Sequence, residues 1–304
     1  MTTLKSRDFL PPRQRGASIH STLIAALALI MVLATWLATN TPIGPRFTFY
    51  VLIAALAFAP LPVLAYRLYA LQHGFYRIDR DKLTIVWGLR SESIPISDIE
   101  WVRPLTALHA PLPLPPFRLP GSLLGYRRVA DLGTVEFLAA ETDTLLLVAT
   151  RQRIFAISPA DPVTFVQDIQ STMEMGSLSP ALAESVYPSF IIGEAWQDPL
   201  ARFLWLGALF LNIGLLIWVS LIIPSLNTVP LGFLSSGVPG EAVPAAGLIL
   251  LPAISIFLSA LGWVVGLVFY RRAEQQALAR ILWLSNVITS ILFLIAILFL
   301  ISTS

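Results

Sequence analysis

Cysteine is absent from this 304-residue sequence, and histidine occurs only three times. The first absence excludes disulfides, a thiolate nucleophile and any cysteine-ligated metal. The histidines, His20, His73 and His109, lie far apart. None has a second histidine or a carboxylate at ligand spacing, so no His-Glu-x-x-His zinc site can be written. A Gly-x-Ser-x-Gly elbow and a P-loop are likewise missing. Charge is scarce too: Asp, Glu, Lys and Arg make up 12% of the chain, about half the roughly 25% usual in soluble domains. The formal net charge of +2 implies no general attraction to nucleic acid or acidic lipid. Acids are all but missing from the apolar runs, which removes the groups that a proton relay or an intramembrane aspartyl protease needs. These absences predict a chain that is not an enzyme, with no catalytic residue, no cofactor, no metal and no nucleic-acid partner.

What the sequence has in excess is apolar residues, 56% of the total. A bilayer core about 30 Å thick needs about 20 apolar residues of helix. Five stretches qualify: 21–39, 47–69, 200–223, 245–270 and 281–301. The first follows Lys5, Arg7, Arg13 and Arg15 as a secretory signal would. It is longer than a signal h-region of about 7–15 residues and lacks a small-x-small cleavage site, so it reads as an uncleaved span. Pro60 and Pro62 predict a kink in the second span, and Pro252 lies near the start of the fourth. Lys and Arg are plentiful in the N-terminal tail and the central stretch, and Arg271, Arg272 and Arg280 lie after the fourth span. They are missing from 224–244 and from the C-terminal Ser302-Thr303-Ser304. The positive-inside rule then puts the N-terminus and central stretch in the cytoplasm and the C-terminus outside the inner membrane.

The domains expected are a basic tail with two spans over 1–73, a water-soluble domain over 74–172, a linker over 173–199 and three spans over 200–304. In the second of these the hydrophobic period changes to alternation. Leu83, Ile85 and Trp87 alternate with Thr84 and Val86 after a turn at Asp79-Arg80-Asp81-Lys82, and Gly88 opens a second turn. Ile94, Ile96, Ile99 and Trp101-Val102 continue the pattern, and Leu132–Ala139, Leu145–Thr150 and Arg153–Ile157 follow. The breaks at 141–143 and 151–152 suit meander hairpins. Asp161 as N-cap and Pro162 at N1 start a helix whose apolar stripe is Val163, Phe165, Val166 and Ile169. Between the strands, 104–129 is an insert too rich in proline for a central strand. Six or seven strands and a terminal helix predict a small half-barrel.

This stretch resembles a bacterial pleckstrin-homology-like (PH-like) domain of membrane-tethered proteins. The resemblance rests on Tyr76-Arg77-Ile78-Asp79-Arg80-Asp81-Lys82-Leu83-Thr84-Ile85, Ile94-Pro95-Ile96-Ser97-Asp98-Ile99, Leu119-Pro120-Gly121 with Gly125-Tyr126, and Phe155-Ala156-Ile157-Ser158-Pro159-Ala160-Asp161-Pro162-Val163-Thr164-Phe165. It implies a seven-stranded bent sheet capped by a helix, serving as a docking surface with no catalytic role. Joined to the spans read from hydropathy, the fold expected is an α+β membrane protein: five transmembrane helices with a PH-like antiparallel β half-barrel capped by a C-terminal helix. Eukaryotic domains of this fold often bind phosphoinositides through a basic first hairpin. Here Asp79 and Asp81 interleave with Arg80 and Lys82 and cancel that field, so a solvated turn is expected.

Two groups of residues stand out as sites. Leu112, Leu114, Phe117 and Leu119 of the insert, followed by Arg127 and Arg128, are candidate membrane contacts, although Pro113-Leu114-Pro115-Pro116-Phe117-Arg118 also has the form of a polyproline ligand. Ser255, Ser259, Gly262 and Gly266 put small residues on one face of the fourth span, a spacing that lets helices approach closely within the chain or in a homo-oligomer. Asn212 and Asn286 read as interhelical hydrogen-bonding groups. The function expected is a scaffold or protein-interaction module with the lipid bilayer and an unknown protein as partners. The alternative is a transport or membrane-remodelling component regulated by the PH-like domain.

Overall fold

The computed structural model describes residues 6–107, 112–115, 118–129, 132–175, 184–186, 191–230 and 242–302. In chain order they form β1 (Arg7–Phe9), α1 (Gln14–Thr39), α2 (Pro45–Phe58), α3 (Leu61–His73), β2 (Phe75–Ile78), β3 (Lys82–Trp87), β4 (Arg90–Pro95), β5 (Ile99–Pro104), β6 (Leu123–Val129), β7 (Gly133–Ala139), β8 (Leu146–Thr150) and β9 (Ile154–Ile157). After these come α4 (Pro162–Met175), β10 (Glu184–Val186), α5 (Ile191–Gln197), α6 (Pro199–Ile222), β11 (Thr228–Pro230), β12 (Ala242–Pro244), α7 (Leu250–Tyr270) and α8 (Gln276–Ser302). Five helical segments, α1, α2 with α3, α6, α7 and α8, are long and apolar enough to cross a membrane. The second is interrupted between Phe58 and Leu61. Pro60 and Pro62 supply no N–H for the turn before them, and the ring of Pro62 crowds the Phe58 carbonyl.

The chain divides into two compact units, Met1–Leu29 with Phe58–Pro188, and Ile30–Ala57 with Ser189–Ser304. The first holds two five-stranded sheets, ordered β1-β2-β3-β4-β10 and β5-β8-β9-β7-β6. In the first sheet, the β2–β3 turn closes with Asp79 N–H donating to Lys82 O at 2.9 Å. The β3–β4 turn is only Gly88-Leu89, with Trp87 opposite Arg90. Gly88 has φ +64°, and a side chain there would meet Ala70, with Cβ to Cβ at 2.8 Å. Both strain and space therefore require glycine. Two strands of this sheet come from stretches read as tail and linker: β1 pairs with β2 and β10 with β4. Three residues are too few to show an alternating pattern.

The second sheet departs from a meander. β8 and β9 form the expected hairpin, but β7 pairs parallel to β9, which therefore lies between β7 and β8. Turn residues signal that the chain reverses, not which strand it then joins. β6 occupies the end of the stretch read as insert, pairing from Leu123 opposite Ala139 to Val129 opposite Gly133. Its first residue comes after the last proline, Pro120, so nothing denies it a ladder.

One core lies between the sheets and under α4: Tyr76, Leu83, Ile85, Leu138, Val148, Phe155, Phe165 and Ile169 are all buried in it. The alternate residues of the second sheet, among them Val135, Phe137, Leu147 and Ala156, form a second cluster on the opposite face, covered by Leu105, Leu112 and Leu114. Burial on both faces explains why β7 to β9 read as nearly continuous apolar runs. In α4, Asp161 caps as expected, accepting from Thr164 N–H at 3.1 Å, but Val163 is 65% exposed. The buried residues Phe165, Ile169 and Thr172 are spaced i, i+4, i+7, and Val163 falls on the opposite face.

In the helical unit, α7 packs on α8 and both pack on α6. Asp198 caps α6 through Leu200 N–H at 3.0 Å and holds Arg280 of α8 at 2.9 Å. β11 and β12 form a two-stranded ribbon whose Val229 is buried with Leu215, Leu248 and Ile297.

Candidate functional site

The β unit contains an ionic cluster that the sequence reading did not single out. Arg90 and Glu92 lie two residues apart on β4 and so share a face. Glu136 lies on β7, and Arg153 at the β8–β9 turn. Arg90 Nε and Nη2 donate to Glu92 Oε1 at 3.0 and 2.7 Å, and Arg90 Nη1 pairs with Glu136 Oε1. Arg153 Nη2 reaches Glu92 Oε2 at 3.1 Å and its Nη1 reaches Glu136 Oε2 at 3.0 Å. Each acid thus joins both arginines in a closed ring that links the two sheets. The two carboxylate side chains are 3% and 1% exposed. Ser185 Oγ of β10 donates to Glu92 Oε1 at 2.7 Å, and Arg90 lies 5.9 Å from the centre of the Tyr126 ring. Burial works to lower the Arg90 pKa, but hydrogen bonds to Glu136 and Glu92 outweigh it and hold the guanidinium above its ordinary value. The signal for this ring was Glu136, a lone acid inside an apolar strand.

Tyr76 is a second link between the sheets. Its hydroxyl donates to Leu138 O at 2.8 Å and accepts from Ser158 N–H at 3.2 Å, and burial raises its pKa. Beside the ionic ring, a cleft of about 410 Å³ is lined by Glu92, Asp98, Arg151, Arg153, Glu184 and Ser185. Among the described residues, no group of three or more His, Asp or Glu could hold a metal ion.

Of the candidate membrane contacts, Leu112 and Leu114 are half-buried against the second sheet, and Arg127 Nε donates to Leu114 O at 3.1 Å. Leu119 is half-buried in the turn that pairs with Ser122. Arg128 is exposed on β6. Phe117 and His109 lie outside the described residues.

The small residues of α7 are used within the chain. A side chain at Gly262 would meet the Asn286 amide, and one at Gly266 the Trp283 ring, both on α8. Ser255 Oγ donates to Asn212 Oδ1 at 2.7 Å, and Asn212 Nδ2 shares its hydrogens among Ala208 O at 2.8 Å, Ser259 Oγ at 3.0 Å and Ser290 Oγ at 2.8 Å. Asn212 therefore joins three helices. Thr48 of α2 bonds Ser220 of α6. Trp205 meets Trp283 and Trp263 edge-on, with ring centres 5.0 and 5.5 Å apart.

These elements define a class: a mixed α/β chain that joins a two-sheet β domain to several long apolar helices. Residues 74–173 match the family model described as a bacterial PH domain, a match that takes in β2 to β9 and most of α4 and leaves out β1 and β10. No curated protein and no solved structure matches the chain significantly.

Proposed function

We propose that the chain is a multi-pass protein of the bacterial inner membrane whose PH-like domain docks another protein at the cytoplasmic face, without chemistry of its own. The observation that carries this reading is β6. It ends the second sheet, has a partner on one side only among the described residues, and presents Tyr126 at 52% exposure beside exposed Arg128. An open edge with an aromatic and a cation suits addition of a strand from a partner. The two sheets share one core with Phe165 and Ile169 of α4, which supports a half-barrel capped by that helix. The arginines at 271, 272 and 280 support the cytoplasmic orientation. Leaflet contact by the insert then rests on Leu119 among the described residues, with Leu112, Leu114 and Arg127 serving to cover the sheet.

A photoreactive residue in place of Tyr126, activated in native membranes, is expected to capture one protein that Arg128→Glu weakens. Capture that persists after deletion of 74–172 and replacement of the crosslinker elsewhere would sink the docking role. Reporter fusions near Gly237 and after Ser304 are expected to read outside. A transport role is the second reading, favoured by the cleft in the helical unit that Asn212 and Asn286 line; it requires that cleft to admit water-soluble labels.

A further inference from the structure

The helical unit holds a cleft of about 630 Å³ among α2, α6, α7 and α8, a volume in the range of small-molecule sites, roughly 300–1,000 Å³. Its walls are apolar, with Val51, Leu52, Leu209, Ile213, Ile256 and Ala260 among them. Trp205 Nε1 of its lining is buried without an acceptor among the described residues, and two further polar groups, on α7 and α8, are incompletely bonded. Asn286 is 9% exposed, and its Nδ2 donates to Ser259 O at 3.2 Å, which sets the orientation of the amide. Its Oδ1, packed over Gly262, receives no N–H or O–H among the described residues. Ser259 Oγ accepts from Asn212 Nδ2 at 3.0 Å, but its own hydroxyl hydrogen has no acceptor there. One acceptor and one donor thus belong to two residues on neighbouring helices that the Asn286 Nδ2 bond to Ser259 O brings into contact. Leaving them unmet in apolar surroundings costs part of their desolvation.

A single hydroxyl satisfies both, donating to Asn286 Oδ1 and accepting from Ser259 Oγ. Asn286 lies 10 residues into α8, about 15 Å along its axis at 1.5 Å per residue. That is deeper than the headgroup of an ordinary phospholipid reaches. We propose that the cleft binds a membrane-dissolved apolar alcohol: a long hydrocarbon body along the α6–α7 wall, with its hydroxyl held by Asn286 and Ser259. The site rests on the reading of these helices as membrane spans.

The test uses the full chain in lipid nanodiscs, a long-chain alcohol bearing a diazirine, the matching diazirine alkane, and mass spectrometry to map labelled residues. The alcohol is expected to label Leu209 and Ala260 about fivefold more than the alkane does, which is what two neutral hydrogen bonds at the weak end of their range contribute. Asn286→Leu is expected to lower that preference and Asn286→Leu with Ser259→Ala to erase it. Ala260→Phe, which fills the cleft and leaves both polar groups in place, is expected to remove cleft labelling by both probes. Equal labelling by alcohol and alkane in the unaltered protein overturns the proposal, as does a preference that survives the double variant. Leu29 and Trp36 of α1, exposed apolar residues outside the cleft, serve as the internal standard. Label there without cleft label refutes the site alone. No label at either position refutes the membrane reading and the site with it.

Discussion

At the residue scale, the ring of Arg90, Glu92, Glu136 and Arg153 carries the largest consequences. A buried ion pair gives little net stability when intact, because desolvation offsets attraction, but losing one partner strands the others. Glu136→Gln is therefore expected to cost about 3–5 kcal/mol, read as a lower unfolding midpoint of the purified protein. Asp168→Asn, which breaks the exposed Arg7 pair, should cost less than about 1 kcal/mol. A ring between sheets also specifies which strand faces which, since any other register loses the Arg90–Glu136 and Arg153–Glu92 pairs. Asp8 offers a pH test. Its hydrogen bond from Arg77, opposed by slight burial, holds its pKa below the ordinary 3.8. A carboxylate depressed on folding contributes stability that is present above its unfolded value and is lost as pH falls through its folded value. The attachment of β1 should therefore loosen only below about pH 4. Asp8→Asn should flatten that dependence, with amide exchange in β1 as the measurement and an effect under about 1 kcal/mol because the pair is exposed.

At the scale of elements, the fit of α7 to α8 depends on the absence of two side chains. Gly266→Ala drives a methyl into Trp283, a fully buried ring, and overpacking of this kind costs about 1–3 kcal/mol. Thermal unfolding in detergent should show the loss, and Gly207→Ala, where nothing lies within 4 Å, should not. The helices were legible because each apolar run is about a span's length or more, and even the break at Pro60 followed from ring geometry. The strands β2 to β4 were legible from alternation. β7 to β9 were visible as apolar runs, but their order was not, because a strand buried on both faces carries no mark of its neighbours. The Pro-rich insert was legible as a non-strand up to Pro120. That Leu112 and Leu114 face the second sheet depends on a cluster assembled from strands distant in sequence.

At the scale of the whole molecule, the segment that matches a bacterial PH domain is not a finished sheet by itself. β1 and β10, both outside the match, close the edges of β2 and β4, and Ala160 N–H donates to Leu10 O at 2.9 Å to secure the N-terminal stretch. Residues 74–173 made alone would expose both edges and leave Glu92 without Ser185. They are expected to self-associate in light scattering at concentrations where a form carrying β1 and β10 does not. Composition and run length alone determined that this chain carries five helices fit to span a membrane and one stretch that alternates like a sheet, because hydrophobic transfer and strand period are local properties of sequence. Only the tertiary structure decided that tail and linker complete the sheet, that β9 separates β7 from β8, that two arginines and two acids form one buried ring, and that Asn286, on the wall of an apolar cleft, keeps an oxygen without a donor among the described residues. Each of these is a pairing between residues far apart in the chain, and its energy exists only once the intervening segments are in place.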